Sequence, residues 1–213
     1  DELAADPLPV HTGLHPSEGA HVLIQYMDAA RWNPSFHAPN SSNGYYGLSP
    51  SNARFVHTLQ YAYDYVVVEP QAANCGGSLP AAVPVVVWLH GFGFNMYEPY
   101  DHNAPPYCAY FIYPYDQSET WWFGFARQND YRVSGQPAAG DVVVNYTEQR
   151  VLRMIYDLLR SPVGAAAADA NRVYVYGHSM GGSGTLALAE RYPEVFAAAY
   201  ASQPMTNLSA STF

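Results

Sequence analysis

The chain has 213 residues, 49% hydrophobic and only 13% charged, which excludes a disordered chain and fits one globular domain better than two. Its net charge is −9, and the nine basic residues, all Arg, form no basic patch, which excludes a typical nucleic-acid binder. No apolar run approaches the ~20 residues needed to span a bilayer, so a soluble protein without a membrane partner is expected.

In chain order, residues 1–20 are rich in Pro, His, Gly and Ala and read as an irregular N-terminal arm. Residues 21–27 form a predicted strand. Residues 33–51, dense in Pro, Asn, Ser and Gly, read as a long loop or a set of turns. Residues 54–69 alternate imperfectly and are rich in Val, Tyr and Thr, the pattern of a long strand. After a loop at 71–80, residues 85–89 form a fully apolar strand and 110–115 another. Residues 145–160 make the clearest amphipathic helix, with Val151, Leu152, Ile155, Leu158 and Leu159 in one apolar stripe. Asn145 can cap it, with Glu148 three residues on. A short strand at 172–176 follows. A Gly-rich turn then leads to a helix over 180–192, stopped by Pro193, and to a strand at 195–201. Apolar strands alternating with helices imply an α/β protein: a mostly parallel central sheet with helices on both faces. The N-terminal strands have no helices between them and suit an antiparallel start to the same sheet.

Two cysteines, Cys75 and Cys108, form one disulfide or stand as two buried thiols, since spacing does not give a distance. The chain begins Asp1-Glu2-Leu3 without Met, as a processed secreted protein or a trimmed one does. Asn40-Ser41-Ser42, Asn145-Tyr146-Thr147 and Asn207-Leu208-Ser209 are sequons that matter only in a eukaryotic secretory pathway, and Asn145 is discounted as a helix cap. His11, His15 and His21 are too irregularly spaced for a metal site, so no metal is expected.

The sharpest motif is Gly177-His178-Ser179-Met180-Gly181, a G-x-S-x-G directly after one predicted strand and directly before a helix. A Gly-rich turn with an incidental Ser would also read this way. The strand and helix on either side favour a nucleophile elbow, where Ser179 occupies a strained turn. His90-Gly91-Phe92-Gly93 follows the apolar strand at 85–89. An oxyanion hole needs two backbone N–H groups aimed at one point. Met180, after the nucleophile, and Phe92, in the loop after the earlier strand, are the candidate donors.

Trp88-Leu89-His90-Gly91-Phe92-Gly93 and Tyr176-Gly177-His178-Ser179-Met180-Gly181-Gly182 resemble the α/β-hydrolase superfamily. Within it, the chain is similar to secreted esterases of the polyhydroxybutyrate-depolymerase and feruloyl-esterase type. The resemblance covers residues 54–201 and implies a catalytic Ser179, oxyanion donors at Phe92 and Met180, an acyl-enzyme, no cofactor, and an extracellular or periplasmic location. It implies carboxylic-ester hydrolysis, on aromatic or polymeric esters. A serine peptidase of the prolyl-oligopeptidase type and a catalytically dead domain used for binding are the alternatives.

The superfamily order is Ser, then Asp or Glu, then His. Residues 180–213 contain neither Asp nor His; their acids are Glu190 and Glu194, in or just after the predicted helix. The chain therefore reads as a single domain, 1–213, incomplete at its C-terminus. The acid and base then come from missing residues, from a second copy or complementing chain, or from His102 with Asp101 or Asp116. His178, beside Ser179, reads as structural. Trp121-Trp122-Phe123-Gly124-Phe125 and Tyr97, Tyr100 and Tyr107 lie in loops after strands. Trp121, Trp122 and Tyr97 are candidate substrate-cleft residues, with a small aromatic core under the loop as the alternative.

Overall fold

A computed structural model describes residues 10–15, 20–28, 60–96, 107–116, 120–126 and 143–206. The chain runs β1 (Val10–His15), β2 (Ala20–Asp28), β3 (Gln60–Val68), a 3-10 turn (Ala72–Cys75), β4 (Ala82–Leu89) and β5 (Tyr110–Pro114). It continues β6 (Phe125–Ala126), β7 (Val143–Val144), α1 (Tyr146–Arg160), β8 (Ala167–His178), α2 (Met180–Arg191) and β9 (Ala198–Ser202). Among the described residues, a seven-stranded sheet has the order β1-β2-β3-β5-β4-β8-β9, and β6 pairs with β7 in a separate two-stranded sheet. β1, β2, β3 and β5 pair antiparallel in turn, whereas β5, β4, β8 and β9 run parallel. This is the expected antiparallel start joined to a parallel half.

The expected irregular arm is corrected over part of its length, because residues 10–15 form an edge strand on β2. Its pattern, Val-His-Thr-Gly-Leu-His, has too little alternation to reveal it, and its register slips between His11 and Gly13. The strand expected at 54–69 is seen over Gln60–Val68; residues 54–59 and the loop at 33–51 lie outside the described residues.

Alternation along β4 decides the layers. Val83, Val85, Val87 and Leu89 are fully buried on one face, where α1 and α2 pack. Val151, Met154, Ile155 and Leu158 of α1 join Leu188 and Met180 of α2 in that core. Burying one such side chain contributes about 1.5–3 kcal/mol. The opposite face carries a second cluster of Val66, Val68, Phe111 and Tyr113, with Met96 against it.

The α1 surface is more buried than its apolar stripe implies. Arg150 lies with its guanidinium 3.4 Å from the Tyr63 ring centroid and donates to the Tyr115 carbonyl. Arg153 pairs with Asp157 at 3.0 Å, both buried. Cation–π contact and bonding within the helix let these charges sit inside. The expected Asn145 cap is also corrected: its side chain makes no capping bond. Its amide instead donates to Glu148 Oε2 at 3.0 Å and to the Tyr192 hydroxyl at 2.8 Å. The Phe123 carbonyl accepts the first-turn N–H groups of Thr147 and Glu148. Cys75 and Cys108 form a disulfide, tying the 3-10 turn to the residues before β5.

Candidate active site

The parallel strands β4, β8 and β9 bring Leu89, His178 and Ser202 to the same end of the sheet, where ligands bind in open α/β folds. Ser179 joins β8 to α2 with φ 55° and ψ −117°. A side chain held in that region costs on the order of 1–3 kcal/mol and needs surrounding structure to hold it there. The Ser179 N–H donates to the Ser202 carbonyl at 2.9 Å, and the Ser179 carbonyl accepts from the Ser183 N–H at 3.0 Å. The Met205 N–H in turn donates to Ser183 Oγ at 2.8 Å. The segment after β9 is thus fastened around the turn.

Gly181 shows why the motif needs glycine. A Cβ there would overlap the Leu89 carbonyl oxygen, so the first turn of α2 rests directly on the end of β4. Ser179 and His178 are exposed, while Met180 is buried at the helix N-terminus, where the helix dipole favours negative charge. His178 bonds locally, with Nδ1 3.0 Å from Ser202 Oγ.

The loop after β4 runs alongside. Gly91 faces the His178 carbonyl, so the two loops touch through backbone. Phe92 and Phe94 are 48% and 52% exposed, large apolar rings beside the turn. His90 is buried. Its Nε2 accepts the Asp116 N–H at 3.0 Å, so Nδ1 carries the proton and donates to the Gly91 carbonyl at 2.7 Å. His90 is thus a neutral brace for the loop.

Trp122 corrects the expectation of a cleft residue. It is 1% exposed, and its indole N–H donates to the His90 carbonyl at 3.1 Å. The reason is its backbone turn, which aims the ring inward against α2. Trp121 is half-buried against the core. Tyr97, Tyr100, Asp101 and His102 lie outside the described residues. Tyr107 is 65% exposed beside Phe111. Asp116 is buried, its carboxylate accepting from Thr120 Oγ1 and the Trp122 N–H. Glu190 and Glu194 are exposed.

Sequence reading missed Ser202, Ser183 and Met205, which hold the turn from the far side of α2 or from the next helical turn. No local pattern marks them. Asp116 had a weak signal: an acid just past the end of an apolar strand.

The prolyl oligopeptidase family matches residues 160–212. Feruloyl esterase B of Neurospora crassa is 28% identical over 159 residues, covering 72% of this chain and 44% of that protein. The fluorophosphonate-binding serine hydrolase FphF of Staphylococcus aureus superposes with a TM-score of 0.52 at 13% identity, covering 72% of this chain and 56% of that one. The chain therefore spans about half the length of these relatives. The strand order, the strand–Ser–helix turn and the structural likeness define the α/β-hydrolase fold.

Proposed function

We propose that the protein is a secreted serine hydrolase that cleaves carboxylic esters. The observation that carries this reading is Ser179, exposed and held at positive φ between β8 and the N-terminus of α2. Ser179 Oγ attacks the ester carbonyl carbon and gives its proton to a general base. The carbonyl oxygen takes the negative charge and is held by the N–H groups of Phe92 and Met180. The alcohol leaves with that proton, and water then hydrolyses the acyl-enzyme, regenerating Ser179. The base comes from further residues of the protein, from a second copy or complementing chain, or from His102 with Asp101; the other acid considered, Asp116, has its carboxylate engaged by Thr120 and Trp122. No cofactor is needed. The exposed Phe92 and Phe94 favour an aromatic acyl group or a polymeric ester, in keeping with the feruloyl esterase relative. The disulfide favours an extracellular or periplasmic location.

The prolyl oligopeptidase match favours a second reading, amide hydrolysis at the same serine. Treatment with a fluorophosphonate probe followed by intact mass spectrometry and peptide mapping tests the nucleophile. One adduct on Ser179 is expected; an adduct elsewhere overturns the assignment of the nucleophile, and none favours a binding domain. Matched p-nitrophenyl ester and p-nitroanilide substrates then separate esterase from peptidase.

A further inference from the structure

The two proposed oxyanion donors belong to different elements, Phe92 to the loop after β4 and Met180 to α2. Something must fix their separation, and the turn at residues 120–123 touches both sides. The Phe123 N–H donates to the Thr120 carbonyl at 3.2 Å, closing a β-turn whose central residues are Trp121 and Trp122, with φ 58° and 63°. Two positive φ values are the pattern of a type I′ turn, which normally selects Asn-Gly. A Trp-Trp pair there is strained and persists only if it is held.

The Asp116 carboxylate holds it. Thr120 Oγ1 donates to both carboxylate oxygens at 3.1 and 3.0 Å, and the Trp122 N–H donates to Oδ2 at 3.1 Å. Thr147 Oγ1 of α1, 2.7 Å from Thr120 Oγ1, braces it from behind. The held turn drives the Trp122 ring inward. On one side the ring lies edge-on to His90, centroids 4.9 Å apart, and its N–H donates to the His90 carbonyl. On the other it fills the space that a Cβ on Gly184 would occupy. The indole therefore spans from α2 to the residue that begins the oxyanion loop. Asp116 grips the same loop a second time, through its N–H to His90 Nε2.

We infer that Asp116 and Trp122 are positioning residues for the oxyanion hole, setting the distance between the Phe92 and Met180 donors without touching substrate. This rests on the hydrolase reading for its consequence in rate, but its structural claim stands alone. A misplaced donor loses transition-state binding without losing ground-state binding, so kcat falls and KM holds.

The test uses the full-length protein with Trp122→Phe, which keeps an aromatic ring and deletes the donor. Asp116→Asn is the second variant and decides the matter if Trp122→Phe does not fold. In amide NMR spectra, the Phe92 and Met180 peaks are expected to move while those of β2 and β3 stay in place. Per fluorophosphonate-titrated site, kcat for p-nitrophenyl acetate is expected to fall about tenfold, less than the ~100-fold or more for outright loss of a donor, with KM within about twofold. Unmoved Phe92 and Met180 peaks in the folded variant overturn the inference, as does a rate loss carried by KM alone. A wild-type protein that takes up no probe at Ser179 defeats the hydrolase reading instead, and the NMR peaks still decide the positioning claim.

Discussion

Ser179 combines a side chain suited to nucleophilic attack with a backbone conformation that suits glycine better. Ser179→Gly relieves that strain, so it is expected to raise stability by about 1 kcal/mol after allowance for the looser unfolded chain, while abolishing probe uptake. Thermal unfolding and labelling of the same sample check both halves. Gly181→Ala is expected to act in the opposite direction. Its methyl would overlap the Leu89 carbonyl, costing about 2–3 kcal/mol as helix and strand separate. A Tm equal to wild type would contradict that contact. These positions were legible because G-x-S-x-G is a local pattern whose glycines have local reasons. Trp122 was not: its burial depends on a turn gripped by Asp116, six residues earlier, and a tryptophan pair gives no hint of positive φ.

At the scale of elements, the central strands were visible as short apolar runs and α1 as a helix with one apolar stripe, whereas α2 was marked only by the Gly-rich turn before it and Pro193 after it. What escaped was polar. The junction between the start of α1 and the end of α2 is built from Asn145, Glu148, Arg191 and Tyr192. Glu148 is fully buried, accepting from the Asn145 amide at 3.0 Å and the Tyr192 hydroxyl at 3.1 Å, with the Arg191 guanidinium at 3.5 Å. Burial raises its carboxyl above the ordinary value of 4.5, against the opposing pull of these partners. Burial and the nearby Glu148 carboxylate push the Tyr192 hydroxyl up to about 12. A raised carboxyl means the folded state holds a proton that the unfolded state releases, so stability from this group falls as pH rises through the window above 4.5. Glu148→Gln does not titrate. Its Tm relative to wild type is therefore expected to climb as pH rises above 4.5, and a constant difference in a calorimetric series would refute the assignment.

At the scale of the whole molecule, the sheet is asymmetric. Its antiparallel half is built by backbone pairing among N-terminal strands, and its parallel half carries the candidate site. The disulfide joins the 3-10 turn before β4 to the residues before β5, across 33 residues of sequence. Closing a loop of that length stabilises by about 3–4 kcal/mol, so Cys75→Ser is expected to lower Tm by roughly 10 °C in a protein of this size. A shift of less than about 2 °C would show that the bridge adds little. β9 is exposed along the parallel edge, and Tyr200 stacks on Tyr176 with centroids 5.5 Å apart.

The Asn145 side chain has one further consequence. In sequence it is a glycan acceptor; in the fold its amide is engaged by Glu148 and Tyr192, and its oxygen accepts from Gln149. A transferase meeting the finished molecule finds that nitrogen already committed, whereas a glycan attached earlier would hold α1 and α2 apart. In a eukaryotic secretory route, sugar at this position would act as a clock. Its presence on a molecule would record that modification outran folding, and its absence that the helices closed first.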